Sequence, residues 1–124
     1  MFSRWLNRWN PRAPFDRVSR NLSRRPPRFS VMVVLVGEIQ LHLPESSSLK
    51  DKRQVIKSLK ERIRSRFNVS VAEVDFNELW QRSTVGIAVV SSAMDHAEKV
   101  MSKVVDFVER DGRAQVLDVI VEDR

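Results

Sequence analysis

The sequence contains no cysteine. Without thiols the chain forms no disulfide, has no thiolate nucleophile and offers no cysteine ligand to zinc. It also lacks a long apolar run. The longest, residues 31–36, has the length of a buried strand, well below the ~18 residues that a membrane-spanning helix needs. We therefore expect a cytoplasmic protein with no membrane-spanning segment, and its 124 residues suit one folded domain.

The positive charge is unevenly distributed along the chain. The formal net charge is +6, yet residues 1–29 hold eight arginines against the single acid Asp16, giving +7. Residues 30–124 hold fourteen basic and fifteen acidic side chains, giving −1, and the segment 49–67 within them contributes +6. The composition predicts a nearly neutral globular domain, residues 30–124, that carries one basic helix and follows a basic, disordered extension, residues 1–29.

Four explanations for residues 1–29 stay open. Phe2, Trp5, Leu6 and Trp9 recur at helical spacing before prolines and scattered arginines interrupt the pattern. Such a segment suits an organelle transit peptide, a helix on an anionic membrane surface, or a basic arm that binds RNA. The fourth explanation is a translation start assigned upstream of the true one, which would then be Met32.

A strand, a helix and a second strand are predicted between residues 31 and 74. The first strand ends before Pro44, which has no N–H for a sheet ladder. Ser48 and Asp51 have the spacing of a capping box at a helix start, and Asn68 can end the helix in the left-handed conformation. The helix has one apolar stripe, formed by Leu49, Ile56, Leu59, Ile63 and Phe67.

The predicted helix also carries a row of cations, here named the basic strip: Lys50, Arg53, Lys57, Lys60 and Arg64. At ~100° per residue they fall within an arc of roughly 80° beside the apolar stripe. Lys52 points at the stripe itself, and we expect its stem to follow the core edge and bring the ammonium group to water. Arg62 and Arg66 lie on the other flank. The strip is either a solvated helix face or a contact surface for an anionic partner.

The remaining pattern completes the order βαββαβ. A loop over residues 75–82 leads to a strand over 83–91. A second amphipathic helix begins near Ser92 and Asp95, which repeat the capping-box spacing, and the last strand covers residues 114–122. Two helices with one apolar face each cover one side of a four-stranded antiparallel sheet. Right-handed crossovers give the strand order 4-1-3-2, an α+β sandwich of ferredoxin-like form.

Several segments together resemble the YlxP-like proteins, small bacterial proteins grouped as a domain of unknown function. These segments are SLKDKR at 48–53, FNVSVAE at 67–73, LWQR at 79–82 and VGIAVVS at 85–91. The resemblance covers residues 32 to about 121. It implies a ferredoxin-like fold and a gene located beside genes of translation and ribosome maturation. It implies no reaction.

The residues also argue against several activities known for this topology. RNA-recognition motifs stack bases on aromatic side chains of the central strands, and the predicted central strands here carry no aromatic residue. Acylphosphatase-type enzymes need a glycine-rich phosphate cradle with an arginine, which is missing. His42 and His96 lie in different elements without an acidic partner pattern. We therefore expect no catalytic site, no metal and no cofactor.

Two functions stay open for a non-catalytic domain with a basic helix. The first is an RNA-binding or ribosome-associated module whose basic strip contacts phosphates, with Arg82 as a further cation and Trp80 able to stack on a base. The second is a homodimeric protein-interaction module. In the second case the half-apolar open face of the sheet forms the interface and the basic charge serves solubility.

Overall fold

The computed structural model describes residues 31–124, so the predictions for residues 1–29 lie outside the described residues. The elements follow the predicted order βαββαβ. They are β1 Val33–His42, α1 Leu49–Arg66, β2 Ser70–Asp75, β3 Arg82–Ser91, α2 Met94–Glu109 and β4 Gln115–Asp123.

The four strands form one antiparallel sheet in the order β2-β3-β1-β4. This is the predicted order counted from the other edge, so the ferredoxin-like prediction is confirmed. The central strands β1 and β3 pair in unbroken register from Val33 opposite Ser91 to His42 opposite Arg82. The outer strand pairs each contain one irregularity, at Gln40/Leu41 and at Glu73/Asp75. In the order β2-β3-β1-β4, strand β2 lies at one edge of the sheet, next to the site described below.

The core lies between the helices and one face of the sheet. Alternate residues of the central strands point into it, as period-two patterning predicts, and one stripe of each helix closes it. Gly37 lies on this face of β1, where a Cβ atom would come within 2.8 Å of Met101 Sδ in α2. The missing side chain lets α2 approach the sheet closely. The buried core residues of these four elements are Leu35, Ile39, Leu41, Ile56, Leu59, Ile63, Val85, Ile87, Val89, Ala97, Met101, Val104 and Val108.

The start of α1 matches half of the predicted capping box. Ser48 is the N-cap, and its Oγ accepts a hydrogen bond from Asp51 N–H at 3.0 Å. In a capping box the side chain three residues into the helix also accepts from the N–H of the N-cap residue. Here the Asp51 Oδ2 atom accepts instead from the N–H and the hydroxyl of Ser47. These two donors from Ser47 lower the pKa of Asp51.

Two other predicted helix boundaries are wrong. Helix α2 begins after Ala93 without a side-chain cap, so Ser92 and Asp95 form no capping box. Helix α1 ends at Arg66, its C-cap residue Phe67 has an extended φ of −130°, and Asn68 does not adopt a positive φ. The following strand β2 explains this ending, because the chain must already be extended to enter the sheet.

The predicted position of the Lys52 ammonium group is also wrong. Lys52 is fully buried, and its Nζ donates hydrogen bonds to Glu73 Oε2 at 2.6 Å, Phe76 O at 2.8 Å and Asn77 O at 3.1 Å. The hydroxyl of Ser83 donates to the same Glu73 oxygen at 2.6 Å. The ammonium group turns inward because these acceptors satisfy all three of its protons, so it needs no water.

Candidate nucleic-acid interface on helix α1

The basic strip runs along the edge strand β2. Near the end of α1, Arg64 Nη2 donates to Val71 O at 2.9 Å, and near its start Lys52 reaches the loop that follows β2. Helix α1 and strand β2 are therefore antiparallel neighbours. The side of the helix that carries the strip faces outward along this edge of the sheet.

Four members of the strip share one open hollow of about 430 Å³. Lys50 is exposed one turn before it. The described residues that line the hollow are Arg53, Ile56, Lys57, Lys60, Glu61, Arg64 and Glu73. The structure thus brings together the cations that the helical spacing predicted to be neighbours.

The cations of the strip form no ion pair within residues 31–124, although the Glu61 carboxylate lines the same hollow. None of its five members forms an ion pair there, and Arg64 has only the Val71 carbonyl as a hydrogen-bond partner. Glu73 lies beside the hollow, but its carboxylate is already bound to Lys52 and Ser83. Like charges on one helix face repel each other by a few tenths of a kcal/mol per pair. The strip is therefore a surface that an anion would stabilise.

The arginines on the opposite flank of α1 have partners within the domain. Arg62 Nη1 donates to Asp111 Oδ2 at 2.9 Å, and Arg113 donates to both Asp111 oxygens at 2.8 and 3.0 Å. The guanidinium groups of Arg62 and Arg66 also lie 5.1 and 5.3 Å from the ring centre of Phe107. Both arginines thus contact other elements of the domain, whereas Arg64 is the strip residue with such a contact, to the Val71 carbonyl.

Asp111 is the residue of this flank that the sequence analysis missed. Hydrogen bonds from Arg113, reinforced by the positive charge of Arg113 and Arg62, outweigh burial and lower its pKa to about 2. No local pattern could have revealed it, because Arg62 and Asp111 are 49 residues apart in the chain. The ion pair with Asp111 joins Arg62 of α1 to the turn that follows α2.

The other two predicted RNA contacts are Trp80, in the loop between β2 and β3, and Arg82, the first residue of β3. Trp80 is 55% exposed at the tip of this loop. The Arg82 guanidinium lies 4.8 Å from the ring centre of Phe76, and its Nε is buried with no hydrogen-bond partner among the described residues. Because Lys52 binds the Phe76 carbonyl, the loop adjoins the first turn of α1. RNA contact by Trp80 and Arg82 stays a prediction.

The two histidines have ordinary polar neighbours. His42 Nδ1 lies 3.3 Å from Gln115 Oε1, and His96 Nδ1 lies 3.0 Å from Ser91 Oγ. Within residues 31–124 no group of three or more histidine, aspartate or glutamate side chains is arranged to hold a metal ion. Over the same residues, no helix is both long and apolar enough to cross a membrane.

The fold and the matched residues place this chain in a family. Its class is the α+β ferredoxin-like domain with βαββαβ topology, and residues 34–121 match the family described as "Protein of unknown function (DUF503)". The chain belongs to this family. It is 38% identical over 73 residues to the "Uncharacterized protein YlxP" of Bacillus subtilis (strain 168), a match that covers 59% of this chain and 79% of that protein. The predicted resemblance is confirmed, and neither description names a ligand or a reaction.

Proposed function

We propose that this chain is a non-catalytic RNA-binding or ribosome-associated module of the cytoplasm. The observation that carries the proposal is the row of cations on α1 that forms no ion pair within residues 31–124. Arg53, Lys57, Lys60 and Arg64 follow each other at four, three and four residues, or about 6, 4.5 and 6 Å along the helix axis. Such a row can follow one phosphodiester strand, one cation per phosphate.

The kind of recognition follows from the kind of side chain. Lysine and arginine on an exposed helix bind phosphate oxygens, which give affinity and orientation with little sequence choice. The central strands carry no aromatic residue that could stack on bases. We therefore propose that the module recognises RNA backbone on a larger particle, and that it acts in ribosome maturation or translation.

Salt dependence of binding tests this proposal. Each phosphate contact releases counterions, so log K falls with log salt by ~0.7–0.9 for each neutralised phosphate. Changing Arg53, Lys57 and Lys60 together to glutamine should flatten the slope by roughly two units and weaken binding to ribosomal particles. Glutamine forms helices well, and these side chains lie outside the core, so the fold should be kept. Arg64 is left unchanged because it also holds the Val71 carbonyl.

A matched control removes three charges elsewhere. Lys99, Lys103 and Arg110 belong to α2 or follow it directly, are exposed, and form no ion pair within residues 31–124. Their replacement by glutamine should change the slope by less than about half a unit. Both variants are compared in the full chain and in the shortened chain 32–124, because the basic residues before Met32 add attraction of their own. Equal losses from both triple variants would show that only net charge matters and would contradict the proposal.

The open face of the sheet supports a second candidate, a homodimeric protein-interaction module. Val74, Val90 and Ile120 are each more than half exposed. Val34 pairs with Val90 on this face, and Val36 lines a shallow hollow of about 340 Å³ there. An apolar surface of this kind is typical of an interface. The basic strip lies on the other side of the sheet, so the two candidates use different surfaces.

Sedimentation equilibrium distinguishes the second candidate. If the open face joins two copies, Val90→Glu should give a monomer at concentrations where the unchanged chain is a dimer, because a carboxylate would be buried in the interface. Lys99→Glu on α2 places the same side chain away from that face and should leave the dimer intact. An unchanged chain that stays monomeric at high concentration would contradict this candidate.

A further inference from the structure

The loop between β2 and β3, residues 76–81, is held rigidly at its first end. Phe76 has a φ of 59°, in the left-handed region that costs a non-glycine residue roughly 1 kcal/mol or more. Its N–H donates to Asp75 Oδ1 at 2.7 Å, and its carbonyl accepts from Lys52 Nζ at 2.8 Å and from Leu79 N–H at 3.1 Å. A buried ammonium group therefore fixes a strained turn.

The other end of the loop is tied to the connection between β1 and α1. Gln81 O accepts from Leu43 N–H at 2.9 Å. The Gln81 side-chain amide donates to Pro44 O and to Ser46 O, both at 3.2 Å. These bonds join two connections that are more than thirty residues apart in sequence. Both ends of the loop are therefore bonded to neighbouring parts of the domain.

The tip of this rigid loop presents apolar side chains to solvent. Leu79 is 47% exposed and Trp80 is 55% exposed, although tryptophan is among the residues that gain most from burial. Exposed tryptophan on a pre-organised element is typical of the residues that dominate protein–protein binding energy. The arrangement keeps Trp80 available for a partner.

The charges around the tip indicate which partner fits. Residues 43–48 and 76–81, the two connections that Gln81 joins, contain two carboxylates, Glu45 and Glu78, and no lysine or arginine. The Arg82 guanidinium is already engaged over the Phe76 ring. Surplus negative charge repels phosphate and attracts lysine and arginine. The tip therefore suits a cationic protein segment better than a nucleic acid.

We propose that the Leu79–Trp80 tip is a docking site for a basic protein segment. The partner would provide an apolar pocket for Trp80 and cationic side chains for the neighbouring Glu45 and Glu78. This site lies at the loop end of the domain and uses none of the strip residues Arg53, Lys57 and Lys60. It does not depend on RNA contact by the basic strip, but it is an alternative to the predicted stacking of Trp80 on a base.

Two displayed libraries of short random peptides test the proposal, with the full chain as the target. They have the same apolar content, and one carries lysine and arginine where the other carries serine and glutamine. The chain has a net charge of +6, so general attraction disfavours cationic peptides. We expect enrichment from the cationic library. Leu79→Ser with Trp80→Ser should weaken the selected peptides about tenfold or more, and Glu45→Gln with Glu78→Gln should weaken them about threefold or more.

Leu117→Ser is the matched control, because Leu117 is a 51% exposed apolar residue on β4. It should change peptide affinity by less than about twofold. No enrichment from the cationic library, or selected peptides that bind the Leu79/Trp80 variant unchanged, would overturn the proposal.

A short oligouridine RNA is measured in parallel. If the Leu79/Trp80 variant weakens RNA binding as much as the Arg53/Lys57/Lys60 variant does, the tip belongs to the RNA interface and the protein-docking proposal is overturned. If RNA binding fails altogether, only the proposed function is lost.

Discussion

Lys52 and Asp111 are charged residues that the fold buries, and each is matched by opposite charge. Lys52 is fully buried against Glu73, and the 3% exposed carboxylate of Asp111 joins Arg62 to Arg113. Removing one partner of a buried pair costs more than the pair contributes, because the other charge stays buried alone. Substituting either residue should therefore change the unfolding free energy by a measurable amount.

The first prediction concerns Lys52. Replacement by methionine leaves the Glu73 carboxylate and the carbonyls of Phe76 and Asn77 without their donor, so unfolding free energy should fall by about 3–5 kcal/mol. Adding Glu73→Leu should recover part of that loss, since no unpaired charge remains. Urea titration measures both. Lys50→Met, two residues away and exposed, should change stability by less than about 0.5 kcal/mol. An equal effect of both lysine variants would contradict the buried network.

The second prediction concerns pH and Asp111. Its pKa of about 2 in the folded chain lies below the ~3.9 of an unfolded aspartate. The carboxylate therefore adds about 2 kcal/mol of stability above pH ~4, and this contribution disappears as pH falls from about 4 to 2. Asp111→Asn should lose that amount at pH 7 and progressively less toward pH 2, whereas Asp106→Asn on the exposed side of α2 should change little. A loss independent of pH would contradict the assignment.

At the scale of elements, α1 combines three roles on different sides of one helix. One side packs Ile56, Leu59 and Ile63 into the core, one flank is bound to Asp111, and the other carries the basic strip. The strip can therefore change without touching the core. The same separation makes the glutamine variants of the strip a fair test of binding.

The third prediction compares the starts of the two helices. Ser48→Ala removes the oxygen that accepts from Asp51 N–H, so stability should fall by about 1 kcal/mol. Ser92→Ala should have almost no effect, because α2 has no side-chain cap. Thermal or urea unfolding of the two variants measures the difference. A loss at Ser92 equal to that at Ser48 would contradict the described helix starts.

At the scale of the domain, residues 33–123 form one four-stranded sheet covered by two helices. Among residues 31–124, the buried core residues run from Leu35 to Ala114. The fourth prediction is that the chain 32–124 melts within a few degrees of the full chain, because residues 33–123 supply a four-stranded sheet covered by two helices. Calorimetry of the two chains measures this. A melting temperature lower by many degrees would show that the earlier residues stabilise the domain.

The sequence alone determined the elements, their order and the surface that each presents. Leu35, Ile39 and Leu41 alternate as a half-buried strand requires, and the strip cations recur at helical spacing, because both patterns are set by local backbone geometry. Strand order followed from connection handedness and from the one-sided helices.

Only the tertiary structure decided which charges are matched. Lys52 meets Glu73 across 21 residues and Arg62 meets Asp111 across 49, and neither distance belongs to any local period. Such pairs depend on how helices dock and on which carbonyls a loop exposes. The physical reason is that burial makes an ion pair from groups that would stay separately hydrated in an isolated helix. Helical spacing already placed Arg62 and Arg66 on the other flank from the basic strip, but only the tertiary structure showed that Arg62 has a carboxylate partner.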